Sequence, residues 1–244
     1  MAISKPHIYL ENWVRGTLRD PGQHFTRRTP RHCPICSFSG YFLTANRLPE
    51  SRCPNCSSKE RDRVFQLALQ QQAIDVTDKK ILHFSPERPF WRRWRHLPGY
   101  VSGDVKKNKV ANTQIDVTKI QFGDQSFDLL ICHHVLEHVP DDKQAMAECF
   151  RVLKSGGTAF FSVPLRDDSA ETFEPPVSMP KEEVERICGW DHKRIYGQDF
   201  PGKLKAAGFE VSEVQFSSAE AERFQLRSNL VDGQCLDRVF MARK

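Results

Sequence analysis

The clearest succession of hydrophobic and polar segments lies at residues 127–164 and predicts a strand, a helix and a second strand. Residues 127–132 form a short apolar run, which is typical of a strand buried on both faces. After a polar turn, Asp141 can cap a helix, and the Gly156-Gly157 pair can end it. Residues 158–163 are apolar again. A strand–helix–strand unit of this kind implies two parallel strands joined by a right-handed crossover.

Apolar segments on both sides of this unit predict further strands, and amphipathic segments predict helices. The strands are expected at residues 80–84, 100–103, 209–216 and 238–242. The helices are expected from a capping pattern at Ser57 and Glu60 to about residue 73, and at residues 90–96, 199–207 and 217–226. In the segment 90–96 the aromatic side chains can be buried while the arginines face water, and we favour this arrangement over a nucleic-acid site.

Four cysteines near the N-terminus form two C-x2-C pairs, Cys33 with Cys36 and Cys53 with Cys56, separated by sixteen residues. Two such pairs supply four thiolates for one tetrahedral zinc ion, and the segment between them can form the hairpin of a zinc ribbon. Because four thiolates leave no open position on the ion, we predict a structural zinc. A redox-active pair and unligated cysteines are the alternatives, and His32 is a possible substitute ligand.

Length and charge limit the organisation of the chain. Its 244 residues allow one α/β domain plus a small module, so we expect a basic, irregular arm at residues 1–28, the ribbon at 29–58 and a main domain at 59–244. The net charge of +5 allows an anionic partner but does not require nucleic acid. No apolar run is long enough to span a membrane and no secretory signal is evident, so we expect a cytoplasmic protein without a membrane or nucleic-acid partner.

The sequence FDLLICHHVLEHVPDD…RVLKSGG, within residues 127–157, resembles the fourth-strand region of class I S-adenosylmethionine (SAM)-dependent methyltransferases. The resemblance is to the small-substrate, methyltransferase-11-like type and covers about residues 79–244. It implies an α/β fold: a Rossmann-like, doubly wound, seven-stranded and mostly parallel sheet that an antiparallel hairpin closes. It also implies SAM as the methyl donor. A Rossmann-like domain with a different chemistry is the alternative.

The turn after the first strand of the main domain departs from the family pattern of an acidic residue followed by a glycine-rich turn. His83, Phe84, Ser85, Pro86 and Glu87 stand there instead. The resemblance implies that this segment binds the methionine end of SAM. The Glu87 carboxylate could replace the missing acid by pairing with the cofactor's amino group. Ser85 is small enough for a close approach. The alternative is a turn that no longer binds a cofactor, in which Glu87 is a charge favoured at a helix start.

Later strand ends supply the remaining predicted cofactor contacts. Asp104 ends the second strand, where a carboxylate meets the ribose hydroxyls in Rossmann-like sheets; a turn-forming aspartate is the alternative. Asp116 and Val117 belong to residues 114–117, which resemble the short third-strand region that contacts adenine in the family. There the Asp116 carboxylate can accept a hydrogen bond from the adenine amino group. His133, at the end of the fourth strand, is expected to face the cofactor or the methyl acceptor.

Histidines supply the candidate catalytic groups. His133 and His134 follow the fourth strand and His192 lies further along the chain, and each could act as a base toward a hydroxyl acceptor. Glu137 and His138 are expected to fix the turn after the fourth strand. Their spacing does not predict a second metal site.

The irregular segment at residues 165–198 is expected to be an insert or lid beside the active site. Arg194 and Tyr196 are the acceptor-binding candidates in this insert. An ordered loop that does not contact the acceptor is the alternative.

These observations together predict a SAM-dependent methyltransferase with a structural zinc. We expect a small-molecule or sugar-like acceptor, and a protein side chain stays open. Two other classes of function remain: a SAM-binding pseudo-enzyme or scaffold, which the glycine-poor turn favours, and a nucleic-acid interaction protein that uses the ribbon and the basic helix. The sequence does not predict the oligomeric state.

Overall fold

The computed structural model describes residues 6–24, 28–45, 48–226 and 236–244. These residues divide into two compact units. The smaller unit takes its residues from Met1–Ile74 and Gln215–Ser228, and the larger from Asp75–Val214 and Asn229–Lys244. None of the helices in the described part of the chain has the length and apolar character needed to cross a membrane.

The secondary structure consists of short helices and strands. The helices are α1 (Pro6–Arg19), α2 (Glu60–Gln71), α3 (Arg88–Trp94), α4 (Asp142–Val152), α5 (Lys181–Cys188), α6 (Phe200–Ala206) and α7 (Ser218–Phe224), with 3-10 turns at Pro21–His24 and Leu136–His138. The strands are β1 (Arg31–His32), β2 (Ser39–Gly40), β3 (Leu43–Ala45), β4 (Leu48–Arg52), β5 (Ile81–Phe84), β6 (Tyr100–Asp104), β7 (Thr113–Gln114), β8 (Phe127–His133), β9 (Leu153–Ser162), β10 (Pro164–Leu165), β11 (Glu210–Glu213), β12 (Leu236–Asp237) and β13 (Phe240–Arg243).

A seven-stranded sheet forms the centre of the larger unit, in the order β11-β13-β9-β8-β5-β6-β7. The five strands from β9 to β7 in this order are parallel to one another. The strand β13 is antiparallel to both β9 and β11, so the two terminal strands close the sheet at one edge. The predicted fold class, a Rossmann-like and mostly parallel seven-stranded sheet, is therefore confirmed.

The strand β8 is buried along most of its length, as its uninterrupted apolar run predicts. Leu130 and Cys132 belong to the same buried cluster as Met146 and Cys149 of α4. Because side chains alternate along a strand, the residues between them face the other side of the sheet, where they are buried as well. The strand is therefore buried up to its carboxyl end, and the polar residues of the following turn begin there.

The helix α4 begins as predicted but ends early. Asp141 caps it, since its Oδ1 accepts a hydrogen bond from the backbone N–H of Gln144 at 2.9 Å. The prediction that Gly156-Gly157 ends the helix is wrong, because α4 stops at Val152 and β9 begins at once. The backbone N–H of Ser126, just before β8, donates to the carbonyl of Val152 at 2.8 Å. This strand-type pairing replaces the helix before the chain reaches the two glycines.

The smaller unit contains an N-terminal helix where the sequence analysis expects an irregular arm. Asn12 of α1 donates from Nδ2 to the Pro54 carbonyl at 2.8 Å and accepts from the Ser57 hydroxyl at 2.9 Å. These tertiary contacts stabilise a helix that its own sequence signals only weakly.

The predicted start of α2 is also corrected. Ser57 does not cap this helix, because its φ is +68° and its hydroxyl bonds to α1. The N-cap is Lys59, whose backbone N–H donates to the Asp62 carboxylate at 2.9 Å. The capping signal therefore lies two residues later than expected.

Candidate functional site

The carboxyl ends of β5, β6 and β8 lie side by side in the larger unit. Phe84, the last residue of β5, is in register with Gly103 of β6 on one side and with Cys132 of β8 on the other. Ser85, Asp104 and His133 each follow one of these positions. Parallel sheets place ligands at this edge, so the candidate cofactor residues are gathered where the fold can use them.

Ser85 makes a tight turn without glycine. Its φ is +44°, a conformation that glycine adopts more easily than other residues. Its backbone N–H donates to the Gly103 carbonyl at 2.7 Å, and its hydroxyl donates to Asp104 Oδ2 at 3.3 Å. Two hydrogen bonds to β6 thus hold the backbone in the shape that a glycine-rich turn provides.

Glu87 is held at the base of this turn by a chain of hydrogen bonds. His83 Nε2 lies 3.0 Å from Glu87 Oε2, and His83 Nδ1 lies 3.0 Å from the Tyr100 hydroxyl. Burial, and next the charge of Glu87, raises the pKa of Tyr100, so its hydroxyl stays protonated and donates to His83. With Nδ1 accepting from Tyr100, the Nε2–H of His83 donates to the carboxylate. The arrangement orients the Glu87 carboxylate, whose Oε1 lies 3.9 Å from His133 Nδ1.

The side chains of His83 and Phe84 are buried, with exposures of 0% and 2%. Both are predicted cofactor contacts, and the structure corrects the kind of contact they can make. The His83 ring is fully occupied by Tyr100 and Glu87, and the Phe84 ring lies in the core cluster. Pro86 is buried as well. Only the backbone of these residues can reach a ligand, whereas Ser85 and Glu87 can offer side chains.

Asp104 lies at the end of β6 and is partly exposed. Its Oδ2 accepts from Ser85 and also from Asn108 Nδ2, at 3.2 Å. Asn108 and Tyr100 are site residues that sequence reasoning missed, since neither lies in a motif and both act through contacts between strands or loops. The other carboxylate oxygen of Asp104 keeps its capacity to accept hydrogen bonds from a diol.

The predicted adenine contacts follow the short strand β7. Asp116 is exposed, and its Oδ1 accepts from the backbone N–H and the hydroxyl of Thr118 at 2.8 and 2.7 Å. Val117 is 3% exposed and belongs to the core cluster. Asp116 therefore forms a local turn with one oxygen, and its second oxygen is the group that could meet an adenine amino group.

His133 and His134 separate at the end of β8. His133 is 2% exposed, with Nδ1 3.9 Å from Glu87 Oε1. His134 has a φ of +51°, and its backbone N–H donates to the Ser162 carbonyl at 2.9 Å. Its Nδ1 lies 3.3 Å from Glu137 Oε1. Of the two, His134 is the more exposed, and its ring faces the Glu137 carboxylate.

His192 does not join this pair directly. Its ring lies against the ring of His138, with centroids 4.7 Å apart and an interplanar angle of 87°. Burial lowers the pKa of His192, which keeps the imidazole neutral near pH 7. The insert therefore places His192 beside the turn after β8.

Arg194 and Tyr196, the predicted acceptor-binding residues, are turned into the protein. Arg194 is 4% exposed and donates to the backbone carbonyls of Leu136, Val139 and Pro140 at 2.6–3.1 Å. The Tyr196 hydroxyl donates to Asp142 Oδ2 at 2.8 Å, and Tyr196 is fully buried. Both side chains fasten the insert to the turn after β8, so the geometry favours the ordered-loop alternative.

Replacing Arg194 with methionine should destabilise the larger unit by about 1.5–3 kcal/mol, because buried carbonyls lose hydrogen bonds to a charged group. Urea unfolding followed by tryptophan fluorescence measures this change. Arg186→Met on α5 is the matched control, since 72% of the Arg186 side chain is exposed. Unchanged stability combined with a weaker acceptor affinity would return Arg194 to the acceptor site.

The four cysteines of the smaller unit converge. Cys33 Sγ lies 3.7 Å from Cys56 Sγ, and Cys36 Sγ lies 3.6 Å from Cys53 Sγ. A tetrahedral ion with bonds of about 2.3 Å to sulfur requires separations of about 3.8 Å, so the sulfurs fit one zinc ion. Each pair forms the same turn, with a backbone hydrogen bond of 2.9 Å from Ser37 to Cys33 and from Ser57 to Cys53.

Comparison with known proteins supports the methyltransferase resemblance. Residues 100–161 match the methyltransferase domain family Methyltransf_11. A protein named probable S-adenosylmethionine-dependent methyltransferase, from Mycolicibacterium smegmatis, is 30% identical over 41% of this chain and 35% of its own length. Demethylmenaquinone methyltransferase of Lactobacillus johnsonii is 26% identical over 66% of this chain and 51% of its own. The chain thus spans about a third to a half of the length of these relatives.

Solved structures share the fold. A SAM-dependent methyltransferase from Mesorhizobium loti is 19% identical, with a TM-score of 0.54 over 74% of this chain and 98% of its own. The [4+2]-cyclase SpnF is 15% identical, with a TM-score of 0.52 over 100% of this chain and 99% of its own. The predicted resemblance to methyltransferases is confirmed, and the likeness to a cyclase shows that the fold alone does not define the reaction.

Proposed function

We propose that this chain, which carries a methyltransferase domain of the Methyltransf_11 family, is a SAM-dependent methyltransferase. The observation that carries the proposal is the placement of Glu87 and Asp104 at the carboxyl ends of two adjacent parallel strands. One carboxylate suits the ammonium group of the cofactor and the other suits its ribose hydroxyls. The domain match at residues 100–161 includes Asp104 and the turn after β8.

Bound SAM would supply an activated methyl group that a lone pair of the acceptor displaces. The residues of the chain then have to bind and align the two molecules, since alignment is the main catalytic requirement of such a displacement. Asp104 would hold the ribose and Glu87 the methionine end. Val117 and Asp116 would border the adenine, and the backbone of Ser85 would approach the cofactor closely.

The proposed acceptor is a small molecule or a sugar-like compound. The name of the Lactobacillus johnsonii relative indicates a quinone-type acceptor for that protein, which supports a small molecule here. For a hydroxyl acceptor, His134 is the proposed base, because Glu137 lies 3.3 Å from its Nδ1 and would stabilise the protonated ring. His133 and His192 are the alternative bases.

The smaller unit is proposed to bind a structural zinc through Cys33, Cys36, Cys53 and Cys56. The Ser58 hydroxyl lies 3.4 Å from Cys33 Sγ and 3.2 Å from Cys56 Sγ, where it can orient two of the thiolates. With four sulfur ligands the ion has no free position, so its contribution is to folding. The domain boundaries proposed from the sequence, an arm to residue 28, a ribbon to 58 and a methyltransferase domain beyond, stay proposals.

The test of the function combines binding with turnover. Native mass spectrometry of the purified chain would detect copurified SAM or S-adenosylhomocysteine. Incubation with methyl-labelled SAM and a panel of phenols, amines and sugars should then yield labelled product and S-adenosylhomocysteine. Binding of SAM without turnover of any acceptor would favour the scaffold, and absence of SAM binding would remove the methyltransferase proposal.

The Asp104→Ala substitution should weaken SAM binding by about tenfold to a hundredfold, the loss of one or two charge-assisted hydrogen bonds. Isothermal titration calorimetry measures this affinity. Asp78→Ala is the matched control, because Asp78 is exposed and lies before β5, at the amino-terminal end of the parallel strands. An affinity equal to that of the wild type would make Asp104 a turn residue.

A further inference from the structure

The turn after β8 and the insert bring three potential metal ligands together in the larger unit. One ligand atom from each of Glu137, His138 and His192 lies within 4.8 Å of the others. The sequence does not predict this group, because His192 is far from the other two along the chain. His134 borders it, with Nδ1 3.3 Å from Glu137 Oε1.

Glu137 is the central member of the group. Its exposure is 1%, and neither carboxylate oxygen accepts a hydrogen bond from the residues that the structure describes. A buried carboxylate without donors is unfavourable unless a positive charge compensates it. A bound cation would supply the missing charge.

His138 is oriented as metal-binding histidines usually are. His138 Nδ1 lies 3.1 Å from the backbone carbonyl of Asp191, so this nitrogen donates and Nε2 keeps its lone pair. Such bonds to carbonyls fix the tautomer and the ring orientation of metal-binding histidines.

The backbone holds the two segments together without a metal. The N–H of Lys193 donates to the Glu137 carbonyl at 2.7 Å, and Arg194 binds the carbonyls around the same turn. His192 is therefore followed directly by two residues, Lys193 and Arg194, that are hydrogen-bonded to the turn. This leaves little conformational entropy to lose when a ligand shell closes.

We propose that Glu137, His138 and His192 bind a divalent transition-metal ion. Two imidazoles and one carboxylate suit Zn²⁺, Co²⁺ or Ni²⁺ better than Mg²⁺ or Ca²⁺, which prefer oxygen ligands. Bonds of about 2.0–2.2 Å require ligand atoms about 3.3–3.5 Å apart, so the shell contracts on binding. His138 and His192 are only partly buried and can move to accommodate this.

This site differs from the cysteine cluster in one functional respect. Three protein ligands leave at least one position on the ion for water or for an oxygen of a bound molecule, whereas four thiolates leave none. The inference does not require methyl transfer. If the proposed function holds, the open position favours acceptors that carry an oxygen ligand.

Cobalt titration of the full chain tests the proposal. Protein is first brought to one zinc per chain by dialysis against a competing chelator, and Co²⁺ is then added. We expect one further equivalent to bind with the visible absorption of a nitrogen and oxygen shell and without thiolate-to-metal charge transfer. His192→Asn and His138→Asn should each weaken this binding by at least about tenfold.

Controls separate the outcomes. His96→Asn is the matched control, since His96 is exposed and lies outside the group, and circular dichroism verifies the fold of each variant. Glu137→Gln adds a third variant, although its buried position makes the two histidine variants the decisive ones. Binding of only one metal per chain, or equal cobalt affinity in wild type and both histidine variants, would overturn the proposal. SAM titration of the same samples is independent: cobalt binding without SAM binding would leave the metal site standing and remove the proposed function.

Discussion

Replacing Cys53 with serine is expected to abolish zinc binding and to unfold the cysteine-containing part of the smaller unit. Cys53 is fully buried, and its sulfur lies 3.6 Å from that of Cys36. The apolar cluster around the cysteines is small, with Phe42 as its only fully buried residue other than cysteine among those described. A structural zinc contributes on the order of 10 kcal/mol of binding free energy in comparable peptides, and the apolar contacts here cannot replace it.

Elemental analysis and hydrogen exchange measure this effect. The wild type should contain about one zinc per chain in the cysteine cluster, and the variant should lose that zinc together with the exchange protection of residues 28–72. Cys188→Ser is the matched control, since Cys188 is a buried thiol of α5 in the larger unit. The idea fails if protein purified without chelator contains no zinc, or if Cys53→Ser keeps both its zinc and its protection.

Substitution of Glu87 by glutamine should weaken SAM binding by about 1–3 kcal/mol, the range for a hydrogen bond to a charged group, or roughly 5- to 150-fold. In the structure, this substitution removes the negative charge without removing the hydrogen bond to His83. The amide oxygen of glutamine can still accept from His83 Nε2, which now donates to Glu87 at 3.0 Å, so the chain through Tyr100 persists. What disappears is the negative charge that would face the cofactor's ammonium group.

Calorimetric titration of SAM against both proteins measures the loss, with thermal melts as the control for folding. Glu210→Gln is the matched variant, because Glu210 is exposed on the edge strand β11. Equal affinities for wild type and Glu87→Gln would mean that Glu87 is only a charge at the start of α3. The methionine end of SAM would then need a partner outside this turn.

Local sequence signals predicted much of the architecture. The apolar run of β8, the Asp141 cap and the two cysteine pairs depend on residues that are close in the chain, and each has its predicted counterpart in the structure. The seven-stranded sheet followed from the family resemblance. The zinc and the cofactor contacts stay predictions, since the fold places their residues without testing what they bind.

Other features depend on contacts that no local pattern contains. The orientation of Glu87 requires Tyr100 from the adjacent strand, and the helix α1 depends on its contacts with the second cysteine pair. His192 meets His138 only because the insert returns to the turn after β8. The sequence suggests that Arg194 binds a ligand, whereas in the structure it donates to backbone carbonyls and to the Glu174 carboxylate, which no local pattern indicates.

The helix α7 has a consequence for the synthesis of this protein on the ribosome. Arg63 of α2 is fully buried, and its guanidinium donates to the carbonyls of Phe224 and Gln225 at the end of α7. These partners emerge about 160 residues after Arg63, which corresponds to roughly ten seconds or more of translation. During that interval the smaller unit is incomplete. The residues in between are synthesised before the Arg63 guanidinium has the carbonyls that accept its hydrogen bonds in the folded protein.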